Sequence, residues 1–354
     1  MKKNLILLFI ATLLFTSCAS DYVILPSETG IILTADSSVR LMGNAITFTV
    51  KDIDGNDLTA DSKFTVNGNS IEGNTFTSPT AGRFEVKADY FGIISEPLSV
   101  RFHDGSEVNF VKRVLIEDYT GTWCGYCTRM AYAIELVKAQ TDEPLGTAVA
   151  VAIHRPTSTV GSLTYDPYNF NPAQEVEELL STSGYPKGYL NRMTLWATPE
   201  DTNISQPIAL TQGENPKIGL ALNPTVENGN ITLDVDVMFG KQFSNLRLVV
   251  YVLENGLIYN QKNYYDNLYG GAHTLVDFEH NHVLRQSLTP MLGEAITGST
   301  SIRDTYRRTF NVPVPANIAN AANIEFVAFV VDANNNALNV RKAHPGETQE
   351  FEEL

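Results

Sequence analysis

Two cysteines separated by two residues, in the run Trp123-Cys124-Gly125-Tyr126-Cys127, are the part of this chain best equipped for chemistry. The run lies between an apolar stretch that reads as a strand and the first turn of a predicted helix. A thiol at a helix N-terminus meets free backbone N–H groups and the positive end of the helix dipole, and both favour thiolate. Cys124 is therefore expected to ionise readily and attack a disulfide. Cys127, one turn further in and buried, is expected to resolve the mixed disulfide. Two intervening residues let both sulfurs reach disulfide geometry without breaking the helix. An inert clip at a helix end would use the same spacing, and the sequence leaves that alternative open. Structural zinc is disfavoured, because no second cysteine pair or nearby histidine supplies the remaining ligands. No cofactor is required, since electrons pass between the cysteines.

The elements that must position this pair follow a β-α-β-α pattern. Phe110 to Ile116 reads as a strand with Val114-Leu115-Ile116 as its buried centre. A helix is predicted from about Gly125 to Ala139, where Met130, Ile134 and Val137 are spaced for one buried face. Leu145 to Ile153 is a second apolar strand, of the type buried in a parallel sheet. His154 to Phe170 is a long Pro/Thr-containing loop, and loops of that length are often functional. Ala173 to Ser181 reads as a short helix. Gly184 to Arg192 reads as a turn followed by a strand.

On both sides the pattern is β. From Tyr22 to Asp104, short alternating runs are split by turns, with Asn67-Gly68 a strong hairpin signal. This predicts a small β-sandwich over residues 22–104. It resembles the immunoglobulin-like modules found next to lipid anchors, as a ligand-binding module or as a spacer. Alternation returns from Glu214, and residues 214–346 read as a second β-sandwich. The acidic tail 347–354 is expected to fray. The fold class is thus multidomain, with an α/β domain at 105–213 between two β domains. A chain of 354 residues is long enough for that. Its composition, 43% hydrophobic and 18% charged, is that of a globular protein. A net charge of -15 argues against nucleic acid as a partner.

The N-terminus reads as an export leader over residues 1–17. Lys2-Lys3 is followed by an apolar run, Leu5 to Phe15, too short to span a bilayer, which takes about 20 residues. The run ends in Leu14-Phe15-Thr16-Ser17-Cys18, which resembles a lipobox. That resemblance implies a lipid on Cys18, a tether over residues 18–21 and attachment to a membrane through the lipid. Ala19 after Cys18 favours the outer membrane, and the side it faces, periplasm or exterior, is left open. A plain secretory leader containing a cysteine is the alternative. With Cys18 set aside, the chain's three cysteines leave only the pair at 124 and 127.

The central domain resembles thioredoxin-like proteins, and two further residues are carried over on that ground. Tyr185-Pro186 follows the cysteines by about 60 residues and precedes a strand. The resemblance implies a cis bond there, with Pro186 packed against the disulfide and shaping a peptide site. A trans turn proline is the alternative. Asp118, six residues before Cys124, occupies the place of a buried carboxylate that relays the resolving thiol's proton. Glu117 competes for that role, because strand alternation points only one of the two inward. Trp123, Tyr126 and Tyr185 are expected to contact substrate.

The run Thr120 to Cys127, together with Tyr185-Pro186-Lys187-Gly188, Asn191-Arg192 and Phe278 to Gln286, is similar to the outer-membrane-protein-28-related lipoproteins. The similarity spans most of residues 105–345 and implies a lipid anchor, a thioredoxin-like domain and a C-terminal β-domain. The segment after Arg192 departs from thioredoxin, with no clear final strand and helix. Two functions stay open: thiol–disulfide exchange on exported proteins or peptides with disulfides, or non-enzymatic binding or adhesion on the same scaffold. Elsewhere, His280 and His282 would share one strand face near His273 and Glu279. No metal motif supports them, so they are assigned no metal. Tyr259, Tyr264, Tyr265 and Tyr269 are expected to pack a long loop or to offer an aromatic binding surface. His154 follows the second strand and could lie near the cysteines.

Overall fold

The computed structural model describes residues 30–141, 146–180 and 183–354. The leader, Cys18 and the tether lie outside the described residues, as do the expected start of the second strand at Leu145 and the expected helix end at Ser181. The chain is mostly β, built on several sheets. Among the described residues, no helix is long and apolar enough to cross a membrane.

At the N-terminal end, a three-stranded and a six-stranded sheet share one core. The strand Ala45–Lys51 shows why: Ile46, Phe48 and Val50 alternate inward and are fully buried. Across the sandwich, Phe76 meets Phe84 and Phe102 edge to face at 5.2 and 5.6 Å. The Asn67-Gly68 turn joins Lys63–Val66 to Asn69–Ile71, and both turn residues have positive φ, 48° and 79°. That conformation is what selects Asn-Gly in a two-residue hairpin.

The cysteine region is organised by the strand Val114–Thr120, in which every residue is buried. It pairs in parallel with Ala148–His154 and antiparallel with Lys187–Leu190. The helix Cys127–Thr141 covers one face of this sheet, packing Met130, Ala133, Ile134 and Val137 on Val114, Ile116, Ala148 and Ala150. The other face, with Leu115 and Tyr119, joins a core that includes Tyr251 and Phe329.

Several sequence expectations shift. The first strand begins at Val114 rather than Phe110, because Phe110 instead bridges to Glu353 near the C-terminus. The expected helix from Ala173 is a 3-10 turn, Asn171–Ala173, followed by the helix Gln174–Leu179. After Arg192 there is a two-residue strand, Thr194–Leu195, and a helix, Ser205–Leu210. The sheet also does not stop at residue 213. Ala152 pairs with Val283, and the strands Val283–Ser287, Arg247–Glu254, Ile324–Val331 and Ala337–Ala343 follow in order. One nine-stranded sheet thus runs through the cysteine region and the C-terminal region. A three-stranded sheet, Ile218–Glu227, Asn230–Phe239 and Thr305–Pro313, packs against its far half.

The acidic tail is a plain correction. It is not frayed: Glu352 pairs with Arg113 and Arg341, and Phe351 packs on Phe110 at 6.3 Å. Its carboxylates read as a solvated terminus only when these two arginines, far away in sequence, are not in view.

Candidate functional site

Cys124 and Cys127 form a disulfide with their Cα atoms 5.4 Å apart. Cys127 opens its helix, and Cys124 lies in the turn before it, donating its N–H to Gly121 O at 3.0 Å. Both are closely covered: Cys124 is 4% exposed and Cys127 2%.

On one side of the pair sits the prolyl turn. Tyr185-Pro186 is cis, as expected, and so are Arg155-Pro156 and Thr198-Pro199, which the sequence did not flag. Trp123 meets the Tyr185 ring edge to face at 5.5 Å and donates its indole N–H to Arg155 O at 2.7 Å. A Cβ at Gly121 would collide with that indole, which accounts for glycine there. Tyr185 is held by its hydroxyl, which donates to Glu177 Oε1 at 2.6 Å. Lys187 and Arg155 pair with the same carboxylate at 2.7 and 3.0 Å. Burial alone would raise the Glu177 carboxyl, but Lys187, Tyr185 and Arg155 together hold it below the usual range. Tyr126 is exposed and meets other rings than Trp123 and Tyr185 do: its ring is 5.2 Å from Tyr264 and 6.0 Å from Tyr265.

The two acidic neighbours separate. Glu117 faces away from the cysteine helix and accepts from Arg192 Nε and Nη2 at 3.0–3.1 Å. Asp118 faces the cysteine helix and lines a cavity of about 280 Å³ together with Cys127. Its Oδ1 is buried without a hydrogen-bond partner among the described residues. Burial, and then the charge of Glu200, raise the Asp118 carboxyl well above its usual range. A carboxyl that resists ionisation beside the inner cysteine can hold a proton for it or take one from it.

The same cavity gathers His154, His280 and His282. His154 Nδ1 lies 2.9 Å from Asp166 Oδ2, which also accepts the N–H of Thr122 at 2.7 Å. Burial pushes the Asp166 carboxyl up, but His154 and the N–H groups of Thr122 and Tyr168 outweigh it and lower it. The long loop is thereby tied to the cysteine turn. Asp166 was missed in the sequence, where an aspartate in such a loop carries no signal. His280 meets His154 edge to face at 5.3 Å and Phe278 at 5.0 Å. Burial, then His154, push it down to about 3, so it is a neutral ring. His280 and His282 do not share a strand face. The strand Thr274–His280 ends at His280, and His282, with φ 57°, turns to Glu325 and Lys138. Among the described residues, no group of three or more His, Cys, Asp or Glu could hold a metal.

The cysteine turn is also covered by a hairpin, Leu257–Lys262 with Thr274–His280. Lys262 donates its backbone N–H to Thr122 O, and Tyr264 to Gly125 O, both at 2.9 Å. The Gln261 amide donates to Gly121 O at 3.2 Å and Cys124 O at 3.0 Å. Thr128 Oγ1 donates to Asn263 Oδ1 at 2.9 Å. The Tyr264 ring lies on Gly125, where any Cβ would strike it. Tyr264 packs on Tyr126, Tyr265 on Tyr126 and Arg129, and Tyr269 on Tyr132, while Tyr126, Tyr132, Tyr259, Tyr264 and Tyr269 all remain exposed, so the rings of this segment pack on one another and also face solvent. Gln261 and Asn263 are buried site residues that the sequence did not single out.

The family model described as "Outer membrane protein Omp28" matches residues 173–349, a span that begins after the cysteine pair. Among solved structures, HBP35 of Porphyromonas gingivalis is similar at 19% identity, covering 68% of this chain and 79% of that one, with a TM-score of 0.48. A domain of the outer membrane lipoprotein Omp28 from Porphyromonas gingivalis is 21% identical. It covers 38% of this chain and 92% of its own, with a TM-score of 0.25. A protein of Agrobacterium tumefaciens is 12% identical over 68% of this chain and 97% of its own, with a TM-score of 0.42. No curated protein matches the chain.

Proposed function

This chain belongs to the Omp28 outer membrane protein family, and from that premise we propose that it performs thiol–disulfide exchange on exported proteins at the cell envelope. The outer-membrane location agrees with the leader, and a lipid on Cys18 would supply the tether. The observation that carries the reading is one juxtaposition: a disulfide at a helix N-terminus with the unpartnered Asp118 carboxyl beside its inner cysteine. Trp123, next to the outer cysteine in sequence, packs on Tyr185 of the cis Tyr185-Pro186 turn, which supports a peptide site shaped by Pro186 as in thioredoxin-like domains. The N-terminal sandwich, immunoglobulin-like in this reading, spaces that site from the membrane.

In the reductive direction, the Cys124 thiolate attacks a substrate disulfide and expels one substrate thiolate. Cys127 then gives its proton to Asp118 and attacks Cys124, re-forming the bridge and releasing the second substrate thiolate. The oxidative direction is the reverse, with Asp118 returning the proton. Electrons pass between sulfurs, and no cofactor takes part. The measurement that tests this is the reduction potential of the pair, combined with insulin reduction or refolding of a scrambled substrate. We expect a potential in the range of exchange catalysts and measurable turnover. A potential below about −300 mV without turnover marks a structural bridge.

A second reading has its own support. Both cysteines are nearly buried under the chain's own hairpin, which suits a binding or adhesion protein that keeps the fold as a scaffold. The same measurement separates the two.

A further inference from the structure

The hairpin on the cysteine turn is held in the way a bound polypeptide would be. Its backbone N–H groups at Lys262 and Tyr264 donate to the carbonyls of Thr122 and Gly125. Its Gln261 amide donates to the carbonyls of Gly121 and Cys124. Four carbonyls of the cysteine turn, at 121, 122, 124 and 125, are thus bonded by one short segment of the same chain. The Tyr264 ring lies against Gly125, and the Tyr126 ring meets it edge to face at 5.2 Å. Arg129, anchored to Glu200, binds the hydroxyl of Tyr265. Asn263 fixes the bend: its amide donates to the carbonyls of Tyr265, Leu268 and Ala272. These contacts explain why a cysteine in a surface turn is 4% exposed.

We propose that residues 261–265 are a strap that closes the disulfide against protein partners, and that a partner reaches Cys124 by laying an extended segment on the same carbonyls. This deepens the exchange reading and rests on it for its purpose. The strap itself is a statement about access. Two main-chain donors, at Lys262 and Tyr264, on carbonyls of the cysteine turn are the elements of strand addition, in which backbone bonds give affinity and side-chain pockets give preference. The pocket here is the surface of Gly125 beside Tyr126, which takes a flat ring. The partner the geometry selects is therefore an unfolded or extended polypeptide with an aromatic residue near its cysteine, rather than a folded surface. Opening needs no change in the strand pairing of the central sheet, since the bonds that must break are those of the strap to the cysteine turn and to Thr128 and Arg129 of the helix.

The test uses the full chain and two variants, Tyr264→Ala and Gln261→Ala. Each protein is reduced with dithiothreitol, and modification of the cysteines is followed with iodoacetamide and with a maleimide carrying a long polymer. The strap makes the polymer reagent react about tenfold faster in Tyr264→Ala than in the parent, the scale of one lost aromatic contact. Iodoacetamide, small enough to pass, changes by less than about threefold. Gln261→Ala shifts the same ratio in the same direction and decides the matter alone if Tyr264→Ala is poorly folded by circular dichroism. Equal polymer rates in parent and variants, or equal acceleration of both reagents, overturn the strap. A parallel assay with scrambled ribonuclease keeps the two ideas apart. Faster modification with no exchange in the opened variants leaves the strap standing and removes the exchange reading.

Discussion

Glu117 and Asp118 are neighbours on one fully buried strand, yet their carboxyls serve opposite faces of the sheet. Glu117 meets Arg192 in the core shared with the C-terminal strands, while Asp118 faces Cys127 across a cavity. One carboxylate is compensated by a charge and the other is not. Their substitution should therefore have opposite effects.

Asp118→Asn should make the protein more stable at neutral pH. The folded carboxyl has a raised proton affinity, so its contribution is fully present only below its unfolded value of about 3.8 and is lost as pH rises. Removing the ionisable group relieves that loss, by roughly 1–3 kcal/mol on the usual scale for a buried group without a partner. Urea unfolding at neutral pH measures it. The same variant should slow the resolution of mixed disulfides, seen as their accumulation on Cys124 after quenching. A variant less stable than the parent would count against the assignment.

Glu117→Ala should be strongly destabilising, by roughly 3–5 kcal/mol, because it strands a buried guanidinium. The Arg192 side chain is 1% exposed and also bonds Tyr251 Oη at 2.5 Å and Met291 O at 3.1 Å. Replacing both partners by apolar residues, Glu117→Leu with Arg192→Met, should recover most of the loss, since an apolar pair carries no desolvation penalty. Chemical denaturation of the two variants checks the pairing. Equal losses in the single and double variants would contradict it.

Stability should fall as pH drops below about 6.5, through His280. Its folded proton affinity is depressed to about 3, so the unfolded chain binds more protons between these two values, and stability rises with pH across that window. The loss from this residue should reach about 2 kcal/mol near pH 5. Glu325 does not interfere there. Burial raises its carboxyl, but His282, Lys342 and His344 outweigh that and bring it to about 2, so its own loss begins only below about pH 4.5. Melting curves between about pH 5 and pH 7 should be flatter for His280→Asn than for the parent. Equal slopes would show that the ring is not buried as a neutral base.

What the sequence determined by itself is local. Cys124 and Cys127 stand at a helix start because the apolar strand residues before them and the spacing of Met130, Ile134 and Val137 after them leave little else. The Asn67-Gly68 hairpin was legible for the same reason, since it depends on residues adjacent in the chain, whereas the cis bond at Tyr185-Pro186 was expected only through the resemblance to thioredoxin-like proteins. Tertiary structure decided the rest. Strand alternation says that Glu117 and Asp118 point apart, but which of them meets the cysteines depends on Arg192, Tyr251 and the helix packed on each face. Gln261 reaches Cys124 O across 137 residues of chain, and Glu352 reaches Arg113 across 239. The continuation of the sheet past residue 213 depends on one pairing, Ala152 with Val283, between segments that are likewise distant in sequence. Contacts of this kind leave no periodicity or turn signature, because nothing in the local conformation of either partner requires the other. They arise only when both faces of the central strand must be buried at once.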